Sequence, residues 1–467
     1  MKNDFLAFQE KGHELIDLLN DYYKNVEKTD FPVSVQRTSS EMLAHWQADF
    51  KNKPNDLTDY FRDILKNSVQ VNHPNFIGHQ VAAPLPIHVL TNALLTSLNN
   101  SIAVYEMGAV GLAMEKIVSD YFIEQFQFGE EANGIFVSGG SIGNLTALLA
   151  ARQAKAGYDA WTEGNQGNLA VMVSEEAHYC VSRATQSMGF GADGVIKIPT
   201  DAQLKIIPEQ LDILYQKATQ AGKKVIAVVG NGCSTSTGTY DNLEVMADFC
   251  EANDLWFHVD GAHGAPAILS KKYKSLLKGA ERADSIVMDF HKMLLTPALT
   301  TLVLFKNGRT SAESFSQKAD YLLEQTQEWH QGANRTLECT RPMMSVRAYT
   351  LLKYYGGDYL ADYVTRMYDL GQYFAKKIEN HPRFELATAP DGNIICFRFI
   401  PKLNQEINQF NYTIRKTLLE EGAFYIVQTV VKGRAFLRIT VINKETTEVH
   451  LDKLLEAVER VAFELEV

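Results

Sequence analysis

A chain of 467 residues, 46% of them hydrophobic, is long enough for one large domain and a smaller one and can bury a substantial core. Its formal net charge of −11 offers no basic footprint for nucleic acid or an anionic membrane surface, and both are set aside as partners. The five cysteines are scattered, odd in number and without a CxxC pair, so neither a disulfide framework nor a metal site is expected, and reduced thiols point to the cytoplasm.

Residues 3 to 27 carry Phe5, Phe8, Leu15, Leu18, Leu19 and Tyr22 at helical spacing, which predicts an amphipathic arm rather than a signal peptide, since acids interrupt it throughout. No 18-residue apolar run follows anywhere. From about residue 75 to 345 short β-branched runs ("NLAVMV", "KVIAVVG", "LWFHVD", "DSIVMD", "TTLVLF") alternate with helical stretches such as 141 to 156 and 241 to 253, the pattern of a mainly parallel α/β sheet. After "RPMMSVRAYTLLKYYGG" a long helix leads to "FELATA", "IICFRFI" and "AFLRITVI" and a closing helix from about 448 to 465, a small α+β domain. The predicted organisation is therefore an arm over 1–74, a large α/β domain over 75–345 and a small C-terminal domain over 346–467.

Open α/β sheets bind ligands at the carboxyl ends of their strands, so the polar residues just after each apolar run are the candidates for chemistry. "GIFVSGGSIGNLTALLAAR" gives a strand, then Gly140 and Ser141 at the start of a strong helix, whose amides suit a phosphate; a Gly-Gly pair also serves simply as a turn. His178 in "AHYCVSRA" opens a helical stretch, as a cap or as a flat group for stacking. Ser234 and Thr235 lie in a hydroxyl-rich loop after the next strand, and Asp260 ends "LWFHVD" at a place where a carboxylate needs a cation. In "MDFHKMLLTPALTT", Lys292 stands beside an apolar run, where an unpaired ammonium must reach solvent or lose its charge.

A phosphate cradle, a strand-end aspartate, a stacking group and an apolar lysine together describe a pyridoxal 5'-phosphate site. Lys292 would hold the cofactor aldehyde, Asp260 would keep the pyridine nitrogen protonated, His178 would stack on the ring, and Ser141 with His291 would hold the phosphate.

These residues resemble the pyridoxal-phosphate-dependent group II amino-acid decarboxylases, the family of glutamate, aromatic amino-acid and diaminobutyrate decarboxylases. The resemblance runs from about residue 70 through "HPNFIGHQ", "SGGSIGNLTALLAAR", "AHYCVSRA", "HVDGAHG", "ADSIVMDFHK", "ECTRPMMSVRAYTLLKYYG" and "LRITVINKETT". It implies an aspartate-aminotransferase-like (type I) fold with a mainly parallel seven-stranded sheet, and a homodimer whose sites lie at the subunit interface. It further implies that Ala262 backs the other face of the ring and that His79, Gln80 and Tyr105 line the substrate pocket, Tyr105 from the partner. By the same resemblance Arg438 matches an arginine that holds a substrate carboxylate, its rival role being a strand arginine paired with a glutamate. Tyr321 falls on the Tyr-Leu pair of a catalytic loop and would protonate the carbon that loses carbon dioxide; the alternative is an ordinary loop aromatic.

Three positions depart from the family pattern: Ile142 replaces an acid, Gly261 an alanine and Phe290 a proline. The implied reaction is α-decarboxylation of an L-amino acid, and "VYEMG" leans the substrate toward an acidic or polar side chain. The rivals are an aromatic or diaminobutyrate decarboxylase, an aminotransferase or carbon-carbon lyase on the same fold, and a cofactor fold kept only for binding.

Overall fold

The structure, a computed structural model, describes residues 2–466 apart from 27, 29–31, 36, 53–55, 316–328, 330–331 and 403–405. Two compact units are present. One comprises Gln80–Ala375 with Thr388–Ile395; the other comprises Met1–His79, Lys376–Ala387 and Cys396–Val467.

The larger unit is built on seven strands: β1 (Asn133–Val137), β2 (Leu169–Ser174), β3 (Val195–Ile198), β4 (Lys224–Asn231), β5 (Trp256–Asp260), β6 (Ser285–Asp289) and β7 (Thr301–Phe305). Their order across the sheet is β1-β7-β6-β5-β4-β2-β3. β3, β2, β4, β5 and β6 pair in parallel, while β7 runs antiparallel to both β6 and β1. The mainly parallel seven-stranded sheet is thus present, with one reversed strand. β2, β5, β6 and β7 are buried at every position, which is why they read as unbroken apolar runs: a strand covered on both faces has no polar alternation. β3 escapes sequence reading because it has four residues at the sheet edge, three of them only partly buried or exposed.

Helix Gly140–Lys155 follows β1 and buries Gly143, Asn144 and Thr146 to Ala151 against the sheet. Beneath it His258 of β5 is fully buried, its Nε2 2.8 Å from Asn144 Oδ1 and its Nδ1 2.8 Å from Ser285 Oγ. Burial pushes this imidazole down to about 4, so it is a neutral member of the network.

The second unit holds strands β8 (Phe384–Leu386), β9 (Ile394–Phe399), β10 (Val427–Val431) and β11 (Arg434–Thr440) in the order β10-β11-β9-β8. The closing helix spans Glu448–Glu466. Two sequence motifs far apart in the chain meet here. Ile77 donates its N–H to Tyr425 O and accepts from Thr440 N at 2.8 Å, while Asn443 and Thr446 donate to the carbonyls of His73 and Pro74. "HPNFIGH" and "LRITVINKETT" are therefore one structural element. The N-terminal helix Lys2–Val26 joins the same unit through Lys11, which bridges Glu14 and Asp56. Among the described residues, no helix is long and apolar enough to cross a membrane.

Candidate active site

The carboxyl ends of β1, β2, β4, β5 and β6 converge on a cavity of about 270 Å³ within the larger unit. Gly140, Ser141, His178, Thr235, Asp260, Ala262, His291 and Lys292 all line it, although they come from five separate stretches of sequence. The register explains the convergence: Asn231 is level with Asp260, and Asp260 with Val287, so successive strands end side by side.

Gly139 caps helix Gly140–Lys155 at φ +98°, a backbone region that L side chains rarely occupy. The helix has neither a side-chain cap nor an acid in its first turn, so its amides are left for an anion. A Cβ at Gly140 would stand 2.9 Å from Asp289 Oδ2, so only glycine leaves room there. Just before this turn the Ser138 amide donates to Glu338 Oε2 at 3.0 Å.

His178 does both of the things open to it. Its Nδ1 accepts from the Cys180 amide at 3.3 Å and so caps helix Tyr179–Ser187, while its ring borders the cavity. Burial pulls its pKa below the ordinary histidine value, outweighing the nearby carboxylate of Asp260. Asp260 is buried at the end of β5, where its Oδ1 accepts from the Ala262 amide at 3.2 Å. His291 is fixed through Nδ1 by the backbone of Thr300 and presents Nε2 3.6 Å from Asp289 Oδ2.

Lys292 solves its charge problem in a third way, neither reaching solvent nor losing its proton. Its Nζ lies 2.9 Å from Asp289 Oδ2. Burial works against the ammonium, but the charge and hydrogen bond of Asp289, with Asp260 behind it, outweigh that, and Lys292 titrates above the ordinary lysine value. Asp289 was not singled out in the sequence, yet the signal is there: it ends "DSIVMD" as Asp260 ends "LWFHVD".

Other expected residues lie elsewhere. Ser234 is buried and turns its hydroxyl to Thr237 Oγ1 at 2.7 Å, inside the loop, whereas the neighbouring Thr235 faces the cavity. Gln80 and Tyr105 belong to the larger unit but do not line this cavity. Tyr105 is exposed, with Trp329 edge-on to its ring at 6.3 Å. His79 and Arg438 belong to the other unit, where Arg438 Nη1 donates to Gly78 O at 3.5 Å. Burial, then the charges of Arg438 and Arg415, lower the His79 pKa. Tyr321 lies outside the described residues.

Residues 40–400 match the family model described as the pyridoxal-dependent decarboxylase conserved domain, well over half of the chain. The chain belongs to the pyridoxal-dependent decarboxylase family. Among curated proteins it is similar to acidic amino acid decarboxylase GADL1 of Homo sapiens, 30% identical in an alignment that covers 87% of this chain and 81% of that protein. It is also 27% identical to the aromatic-L-amino-acid decarboxylase of Bacillus atrophaeus over 98% of this chain and 95% of the other. Of solved structures, mouse CSAD in apo form superposes with a TM-score of 0.91 at 23% identity, covering 98% of this chain and 99% of that one, a likeness of fold. As a member of this family the chain is a pyridoxal-phosphate-dependent amino-acid decarboxylase, a carbon-carbon lyase. The cavity fits that cofactor: an uncapped helix N-terminus with a glycine turn for the phosphate, and a lysine and a strand-end aspartate on its wall.

Proposed function

We propose that Lys292 carries the pyridoxal phosphate and that the substrate is an L-amino acid with an acidic side chain. The observation that supports the cofactor assignment most strongly is the gathering of Lys292, Asp260, His178 and the Gly139–Ser141 turn around one cavity. When bound, the cofactor supplies a sink for the electron pair released as the Cα–carboxylate bond breaks.

The side chains have complementary tasks. The Gly140 and Ser141 amides and His291 would hold the phosphate, with the helix N-terminus adding a favourable dipole, while the Gly139 amide is spent on Val137 O at 2.9 Å. The Asp260 carboxylate keeps a proton on the pyridine nitrogen, and burial at a strand end prevents water from competing for it. His178, neutral and anchored by its cap to Cys180, offers a flat face for the ring, with Ala262 small enough to admit the other face. Tyr321, on the resemblance of its Tyr-Leu sequence, delivers the proton to Cα after carbon dioxide leaves.

The acidic substrate is supported by the name of the human relative, and on the family resemblance Arg438 would be its carboxylate clamp. The aromatic relative, which spans nearly the whole chain, favours the second reading, an aromatic L-amino acid. Incubating the purified protein with a panel of L-amino acids while measuring carbon dioxide and amine decides between them. Equimolar release from aspartate, glutamate or cysteine sulfinate is expected; release only from tyrosine, tryptophan or their relatives overturns the acidic assignment.

The working form is proposed to be a homodimer in the cytoplasm. Supporting it, helix Ile87–Leu98 exposes Leu90, Leu94 and Leu98 one turn apart, and helix Tyr105–Phe126, broken at Gly108, exposes Val110 and Ile117 beyond the break, two apolar stripes in the same unit. Tyr105, exposed ahead of that break, would on the family resemblance reach the partner's pocket. The arm over residues 1–74 would add its exposed Phe5 and Phe8 to the interface. All five cysteines are free, which suits a reducing compartment.

A further inference from the structure

We propose that Asp289 is the proton acceptor of Lys292, holding the lysine as an ion pair at rest and taking a proton from Nζ when that nitrogen bonds to the cofactor's aldehyde. The proposal rests on the reading of Lys292 as the cofactor-bearing lysine.

An ammonium has no lone pair, so the nitrogen reacts only after it has lost a proton. Bulk water is a poor recipient here, because the Lys292 side chain is only 19% exposed and Asp289 only 2%. Asp289 Oδ2 lies 2.9 Å from Nζ, and the two residues belong to one turn in which the Lys292 amide reaches Asp289 O. The carboxylate is held in place from two other strands' ends. Its Oδ1 accepts from Thr301 Oγ1, level with it on β7, and its amide donates to Ala262 O at 3.0 Å. Oδ1 is therefore occupied and Oδ2 is turned to the lysine.

The other titratable groups around the lysine are poor rivals. Asp260 faces it from the end of β5, but no hydrogen bond joins the two among the described residues, and its Oδ1 already accepts from Ala262 N. His178 and Cys180 face it from the segment after β2. Burial holds the first below and the second above its ordinary value, so both are neutral near pH 7. His291 turns Nε2 to the same Oδ2 but stands 3.6 Å from it, against 2.9 Å for the lysine, and no hydrogen bond joins it to Nζ among the described residues.

The step balances within the pair. One Nζ proton passes to Oδ2, and the lone pair left behind forms the bond to the aldehyde carbon. A second Nζ proton goes to the aldehyde oxygen, and the proton stored on Oδ2 joins it as that oxygen departs as water. The carbon-nitrogen double bond keeps the positive charge, Asp289 ends as the carboxylate it began as, and no further reactant is consumed.

The reactive arrangement, neutral amine beside carboxylic acid, carries the same number of protons as the resting ion pair. Its population is consequently independent of pH between the two groups' titrations. Full-length protein stripped of cofactor is mixed with pyridoxal phosphate, and the rate of growth of the carbon-nitrogen absorbance band is followed across neutral pH. The cofactor's own ionisations are common to all variants, so rates are read as ratios to wild type. In Asp289→Asn the lysine must give its proton to solvent, and its rate relative to wild type is expected to rise about tenfold per pH unit up to the lysine's own titration. Thr301→Val leaves the ion pair intact but removes a hydrogen bond that favours the carboxylate, which tips the pair toward neutral amine beside acid and should raise the rate across the same pH range without changing its slope.

A folded Asp289→Asn protein, judged by circular dichroism and melting temperature, whose profile runs parallel to wild type would overturn the proposal. If that variant does not fold, Thr301→Val decides: a raised rate with an unchanged slope supports the proposal and an unmoved rate overturns it. Absence of the band in wild type removes the reading of Lys292 along with the proposal, whereas a normal band with unaltered profiles removes only the role of Asp289.

Discussion

The ring of Phe290 is fully buried, edge-on to Phe122 at 5.4 Å and tilted against Phe136 at 5.3 Å, so the residue that breaks the family's proline pattern closes an aromatic cluster behind β1 and β6. Its backbone matters as well. The Phe290 amide donates to Thr300 O at 2.9 Å, a bond that proline could not make, and Thr300 in turn holds His291. Phe290→Ala should therefore cost about 3–5 kcal/mol in urea unfolding, the range for emptying a buried phenylalanine. A loss near zero would show that the cluster closes around the gap. Lysine 292 teaches a related lesson: its apolar neighbourhood was legible in the sequence, but its partner three residues earlier was not, because Asp289 looks like an ordinary strand end until the turn after β6 brings the two together.

At the scale of elements, the cofactor pocket depends on how each strand ends. The turn after β1 requires a residue at φ +98° at Gly139, and a Cβ there would also approach Leu299 Cδ2 to 3.3 Å. Gly139→Ala stores strain of order 1–3 kcal/mol in the phosphate cradle. The expected result is a roughly tenfold or greater rise in the pyridoxal phosphate dissociation constant, measured by absorbance titration; an unchanged constant would mean that the turn does not bind the phosphate. Strands buried along their length, such as β4 and β5, announce themselves as apolar runs, and so the strand-end residues Asp260 and Thr235 could be found from sequence. Two edge strands could not. β3 and β10 have four and five residues, and β10 alternates buried with exposed positions at a sheet edge. The hydroxyl loop after β4 was found as a cluster, but which hydroxyl faces the cavity depends on the local network that claims Ser234.

For the whole molecule, the apolar stripes on helices Ile87–Leu98 and Tyr105–Phe126 carry the proposed dimer. Leu94, 58% exposed, sits mid-stripe, and Leu94→Asp should convert a dimer to monomer in sedimentation velocity and reduce decarboxylation with it. A monomeric wild-type protein with full activity would contradict that assembly. Such pairing is invisible in a sequence because an exposed leucine and an interface leucine have the same spacing. The central claim is narrower and lies at one atom, the Nζ of Lys292. Reducing the protein with borohydride in the presence of pyridoxal phosphate, then mapping its peptides by mass spectrometry, tests it directly. The account predicts a phosphopyridoxyl group on Lys292 that is lost in Lys292→Ala; labelling of another lysine in the wild-type protein, with Lys292 unmodified, would contradict it.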